Sequence, residues 1–565
     1  MTKLTDEQKQ LFSYIDQLIP GDGHLAYDFN DQKQYEFARM MIELSGKSDK
    51  YPGMLKSLAL MQSSHKSNSA PKPMAGDTDG WQNMFTIPGL NLTQSGTIAS
   101  NGLATVVGGY SSMDLTLIIQ SKKSKNIVAA GFSNNFTQTL LTVNTAPSKS
   151  TEIDVDAYMH YHGISSGPAM NETHLFGVVK RKGNNTVTGD PTVIVPKRET
   201  QHPNNPNAIN IGLGRGWTDQ GYPAGSGGNP NSQFDYAWNE PTPAAGENPK
   251  GKIPFIGSVT FSNQISSPLE FNTNFLLNIY VVDQNDGGGA QLNPTDSANV
   301  ANAFSIDSSN LAKLNWNLSP GTSTSDPGNP IVFGNVPWGP DTSAYFFCEI
   351  DVVLQDGSIS SAYIQSSDSP DTTPLDGTTY IMPIDFIWHC LAENTLVTMA
   401  DGSKKIIKDI VAGNKVQINH NDDLAVVEWT NLGTHKGLII DITTDNGENI
   451  KTSHNHVFFT ENTSKLASEI KLGDKLKMRQ GLATVKNIRQ SNHEGLMCNL
   501  ATVKYQNPKH DKAEIGVFYA NDFLVGDINA QRVIRQRRLN DIDWVKNQVP
   551  EYMHADVDSY FAERN

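Results

Sequence analysis

Cysteine is scarce in this chain: Cys348, Cys390 and Cys498 are the only three among 565 residues. Three thiols cannot build a disulfide framework, and without a CxxC pair the clustered ligands of a structural zinc site are missing too. No stretch offers eighteen apolar residues in a row, and the opening "MTKLTDEQKQLF" has no apolar signal-peptide core. Neither a membrane span nor a secretory leader is therefore expected. The default expectation is a soluble protein made in the cytoplasm; a leaderless export route would leave no trace. Positive charge is also short, with 44 Lys and Arg against 59 Asp and Glu, a formal net charge of −15. That excludes broad nucleic-acid binding, which needs a basic surface.

What is abundant points to β structure. With 46 Gly, 29 Pro and many Asn, Ser and Thr, the composition favours turn-rich sheets over helix bundles, and the length calls for more than one core. Residues 1–64 are the helical exception. Thr5 with Gln8 forms a capping box, Leu11, Phe12, Ile15, Leu18 and Ile19 make a helical stripe, and Pro20, Gly21 and Gly23 stop it. "YEFARMMIEL" and "MLKSLALMQ" read as two further helices. Residues 65–80 are a polar linker. Residues 81–389 carry short alternating or β-branched runs ("MDLTLIIQS", "TEIDVDAYMHYHG", "NFLLNIYVVD", "AYFFCEIDVVLQDG") between turn residues, the pattern of a β-sandwich-like domain. Residues 531–565 turn helical again, with a stripe through Val533, Ile534, Arg537, Arg538 and Trp544 expected to dock on a domain surface. The predicted class is mainly β.

Between these regions, residues 390–530 contain a repeat. "KDIVAGNKV" (408–416) returns as "SEIKLGDKL" (468–476), 60 residues later, with an acidic residue, Ile, Gly, Asn or Asp, Lys and an aliphatic residue in matching places. Such a repeat predicts two similar subdomains packed face to face. The same region holds "TSHNHVFF", read as a strand with His454 and His456 on one face.

The constellation around Cys390 resembles the Hint family, the self-processing module of hedgehog C-terminal domains and inteins. Cys390, Thr395, Val397, Asp401, Gly402, Ile407, Ile410, Gly413 and Val416 fit its first block, with Asn414 where Asp is usual. "SHNH" fits the second block, with Ser453 in the threonine place and His456 as its histidine. "CNLATV" and "GVFYANDFLVGD" fit the closing strands. The resemblance covers about 140 residues. It implies an all-β Hint fold and an N–S acyl shift at the His389–Cys390 bond, with Cys390 as nucleophile, His456 protonating the leaving nitrogen, Ser453 holding the amide or water, and His454 adjacent. The thioester would be open to water or a small nucleophile, and no cofactor is implied.

Departures from the family narrow the expectation. Splicing inteins end in His-Asn followed by Cys, Ser or Thr; here Gly526, Asp527 and Ile528 stand in that place, so splicing is not expected. Glu428 lies where hedgehog proteins carry a sterol-activating acidic residue, but one carboxylate does not imply sterol transfer. The resulting expectation is a precursor cut before Cys390, releasing an N-terminal β-rich protein whose own partner the sequence does not name. The alternative is a structural, adhesin-like or toxin-carrier binding protein with an inactive Hint-like domain. No trans-acting enzyme is identified. Cys348 and Cys498 read as core residues of strands, His160 and His162 as structural or surface residues for want of a third ligand, and "DQNDGGG" from Asp283 as a turn, since it fails the calcium-loop pattern.

Overall fold

The computed structural model describes residues 2–64, 83–92, 97–106, 112–136, 140–149, 154–167, 170–183, 193–197, 209–211, 251–253, 256–270, 276–283, 289–292, 304–317, 320–323, 326–328, 331–333, 342–366, 378–381, 384–386, 391–418, 423–504, 516–528, 530, 534 and 540–564. The linker at 65–80 and the long Gly/Asn/Pro-rich stretch after residue 211 lie outside them. The chain is mainly β, with helices at its two ends. Among the described residues no helix is long and apolar enough to cross a membrane, which says nothing of strands.

Helix α1 (Asp6–Leu18) opens on the expected capping box: Thr5 Oγ1 accepts from Gln8 N at 3.2 Å and Gln8 Oε1 accepts from Thr5 N at 2.9 Å. Helix α2 (Gln32–Leu44) is capped by Asp31, and α3 (Pro52–Ser64) begins on proline, which lacks the N–H that a first helical position cannot satisfy. All three lie on an antiparallel five-stranded sheet, in the order Gly23–Ala26, Met170–Lys182, Val155–Gly167, Ser112–Ser121, Ile127–Phe136. Strand period two divides its side chains. Ile118, Tyr158, Ile164 and Val178 face the helices, whereas Leu115, Leu117, Met159 and Val179 face a second sheet that contains Thr97–Thr105 and Leu140–Asn144. That second sheet packs Leu103 and Leu140 against Tyr280, Val282, Tyr345 and Phe347 of a seven-stranded sheet. The expected sandwich thus carries a helical cover on its outer face, and helices and sheet share one core.

The repeat unit builds its core from residues 391–525 alone. Its halves match in their turns, glycines and lysine bonds at the 60-residue offset, while the acceptors of the glycine bonds are 58 apart, since 485 − 427 = 58. A 3-10 turn occupies Ile407–Asp409 in one and Ala467–Glu469 in the other. Gly413 and Gly473 follow at φ 85° and 88°, a region where a Cβ is penalised. Gly413 N donates to Val427 O at 2.7 Å, and Gly473 N to Val485 O at 2.9 Å. Asn414 Oδ1 accepts from Val411 N (3.3 Å) and Lys405 Nζ (3.1 Å), while Asp474 Oδ2 accepts from Lys471 N and Lys465 Nζ, both at 2.8 Å. The strands that follow, Leu424–Thr444 and Gly481–Lys504, pair antiparallel along most of their length and join the halves.

The chain then returns to its beginning. Helices α4 (Ile542–Lys546) and α5 (His554–Arg564) put Val545, Val557 and Tyr560 into the same core as α1–α3, and the connection between them adds Val549 and Met553. Burying each such side chain stabilises by roughly 1.5–3 kcal/mol. Of the stripe expected to dock, residues 531–533 and 535–539 lie outside the described residues, Ile534 is buried, and Trp544 packs at this core.

Candidate functional site

His389 and Cys390 lie outside the described residues. Their neighbour Leu391 is fully buried and pairs antiparallel with both Thr452 and Cys498, and Glu393 N donates to Leu496 O at 3.0 Å. The first residues of the repeat unit therefore run beside the end of the Asn449–Thr452 strand.

That strand stops at Thr452, two residues before His454. Ser453 to His456 form a β-turn, closed by His456 N donating to Ser453 O at 3.3 Å. This corrects the strand reading of "TSHNHVFF": His454 and His456 do not share a strand face. Ser and Asn bond readily to nearby backbone and favour turns, and here they outweigh the β propensity of the residues on either side. The turn is held by the 3-10 turn of the second repeat, where Ala467 N donates to His456 O (2.8 Å) and Ser468 N to His454 O (2.9 Å). Ser453 and His456 are buried, whereas His454 is half-buried.

After the turn, Val457–Phe459 runs antiparallel to Phe523–Gly526, with Phe458 opposite Val525. Gly526 lies against Val457; a Cβ there would meet Val457 Cβ at 2.9 Å and Ala530 Cβ at 2.7 Å. One residue beyond that contact, His456 and Asp527 stand at the matching ends of the two strands. Asp527 is fully buried. Its Oδ2 accepts from Thr502 N (2.9 Å) and Thr502 Oγ1 (3.1 Å), and its Oδ1 from Ala530 N (2.9 Å). A Cβ on Gly516 would fall 2.0 Å from the same carboxylate. Thr502, Gly516 and Ala530 thus build a seat for Asp527. Sequence reasoning missed the seat because its Thr502 bond spans 25 residues and leaves no periodic signal.

A second serine–histidine array lies on the helix-facing side of the five-stranded sheet. Ser57 Oγ is 2.8 Å from His162 Nε2 and 2.7 Å from His174 Nδ1, and His162 Nδ1 is 3.2 Å from Asp114 Oδ2. Tyr27 OH lies 3.2 Å from His160 Nδ1. The order Ser–His–Asp is that of nucleophilic catalysis, but Ser57 is 0% exposed and His162 1%. Substrate has no access, and the array is a buried polar network. Burial raises the Asp114 carboxyl to about 8 and lowers His160 to about 3. Cys348 and Cys498 are buried strand residues, and burial pushes the Cys348 thiol up. Glu428 falls where the register shifts between Val427 and Trp429. Residues 284–288 lie outside the described residues, between two strands that pair antiparallel. Among the described residues, no group of three or more His, Cys, Asp or Glu could hold a metal ion.

No family model matches the chain, and no curated protein matches it. Among solved structures it is similar to the gp41-1 intein, at 23% identity over 24% of this chain and 98% of that one, with a TM-score of 0.21. It is also similar to a DnaB intein from Synechocystis, at 19% identity over 25% of this chain and 99% of that one, TM-score 0.21. A bacterial intein-like domain from Clostridium thermocellum gives 21% identity over 25% and 99%, TM-score 0.21.

Proposed function

We propose that the repeat unit, residues 390–530, is a self-processing module that cuts the His389–Cys390 bond once. Cys390 Sγ attacks the His389 carbonyl carbon, the C–N bond breaks, and the thiol proton ends on the departing nitrogen. His456 delivers that proton, because an amide nitrogen cannot leave as an anion. Ser453, one residue past the pairing of Leu391 with Thr452, supplies a hydroxyl able to donate or accept beside the reacting amide. His454, half-buried in the turn, is adjacent and has a minor part. Water or a small nucleophile then opens the thioester and regenerates the thiol.

The observation that carries this reading is the meeting of three chain segments: Leu391 at the entry, the turn Ser453–His456, and Asp527 at the exit. A carboxylate is a poor cyclising group, and three donors hold this one in place. Scission at the downstream end, and with it splicing, is therefore not part of the proposal.

The test is the intact mass of the purified chain with and without excess thiol or hydroxylamine. A 389-residue piece and the remaining 176 residues are expected from wild type, and an uncut chain from Cys390→Ala. A folded wild-type chain that stays whole for days in thiol overturns the proposal and leaves the binding or structural protein with an inactive module.

A further inference from the structure

The two regions flanking the repeat unit form one core, and this bears on what scission does. Met553 and Asp556 approach the start of α3 so closely that a Cβ on Gly53 would lie 2.5 Å from Met553 Sδ and 2.7 Å from Asp556 Oδ2. Asp556 Oδ1 accepts from Gly53 N at 2.8 Å, 503 residues away in sequence. Tyr560 meets Phe136 edge to face at 5.2 Å between ring centroids. At the rim, Glu563 accepts from Lys47 Nζ and Lys50 Nζ, both at 2.7 Å, and from Tyr51 OH at 2.9 Å. By contrast, the sheets of the repeat unit share no strand pairing with those of residues 1–386 among the described residues, and its core takes nothing from outside 391–525.

We infer that α4 and α5 are a clamp: after scission before Cys390, the C-terminal piece stays bound to the N-terminal piece through residues 541–564, giving a nicked complex and not two free proteins. The repeat unit is in effect an insertion in a discontinuous flanking domain. Release, which the sequence suggested would follow cleavage, then needs a second event that undocks the helices. The inference rests on the proposed scission only for its natural trigger; the docking is a property of the fold.

The test separates the two. The whole chain carries a site-specific protease sequence in place of residues 387–390, which also removes Cys390. After protease treatment, two bands on a denaturing gel should elute together as one species on size exclusion. Elution as two species overturns the inference, whatever wild-type Cys390 does. A second protease sequence between Asp527 and Asn540 sharpens the result: the tail should stay with residues 1–386 while the repeat unit leaves alone. Repeat-unit retention after both cuts, or tail loss, also overturns it. In the singly cut chain, Met553→Asp should weaken retention at least about tenfold, since it places an unpaired charge in a core. If that variant does not fold, Tyr560→Ala serves in its place, and unchanged retention in a folded variant contradicts the clamp.

Discussion

His-x-His occurs twice among the described residues, in "YMHYHG" and in "TSHNHV", and the two copies have opposite fates. His160 and His162 sit on a long central strand, point to the same face and are sealed, His162 with Ser57, His174 and Asp114 and His160 with Tyr27. His454 and His456 sit in a four-residue turn where three chain segments meet, one buried and one half-buried. The sealed copy has the better acid–base geometry and no route for a substrate. Under the proposed scission the turn copy acts on the chain's own peptide bond and needs no route, because its substrate is already attached. A serine and a histidine in hydrogen-bond reach are therefore a weak sign of chemistry until access is known.

The comparison breaks most sharply at His456. His456→Ala should slow scission by roughly 10²–10⁴-fold by removing the proton donor, while His454→Ala and His162→Ala change the rate little. The time course of intact mass measures all three. Equal small effects from His454→Ala and His456→Ala would return the turn to a purely structural role.

Next in size is the sealed copy. His162→Ala leaves Asp114 and Ser57 short of a partner in a cavity, and should cost roughly 3 kcal/mol of stability. The N-terminal unfolding midpoint in denaturant would report it. A loss under 1 kcal/mol would show that the network contributes little.

The same core predicts a pH dependence. Asp556 accepts from Gly53 N and faces Asp114 and Lys56; burial raises its carboxyl to about 7, and Asp114 to about 8. The folded state keeps protons that the unfolded chain loses near 3.8. Their contribution is therefore largest below that value and falls as pH rises through 7–8. Glu563 acts in the opposite sense: hydrogen bonds from Lys47 and Lys50 hold it at about 2, so its contribution is present above 4.5 and is lost as pH falls toward 2. Tail docking, followed by co-elution of the protease-cut pieces, should be tighter at pH 5 than at pH 8.

The smallest effect compares the two repeats. Asn414 takes the place of Asp474 and accepts the same kinds of bond from Lys405 and Val411. Asn414→Asp turns the lysine bond into an ion pair and should stabilise by roughly 0.5 kcal/mol, seen as a slightly higher melting temperature that salt reduces.

Much of this protein is local and could be read in advance. The Thr5–Gln8 cap, the three opening helices, the strands around Ser112–Ser121 and Thr342–Val353, the buried Cys348, and the 60-residue repeat each depend on neighbours within a few residues or on matching segments. Hydrogen-bond capping, strand alternation and left-handed glycines act over that range, so the residues themselves determine them. Three features were decided only by the tertiary structure. The turn at Ser453 is held by backbone donors of the second repeat, the Asp527 seat by Thr502 and Gly516, and the docking site of the last helices by a core whose other side chains lie hundreds of residues earlier. Burial rewards any apolar face that finds a partner and does not encode in sequence which partner that is.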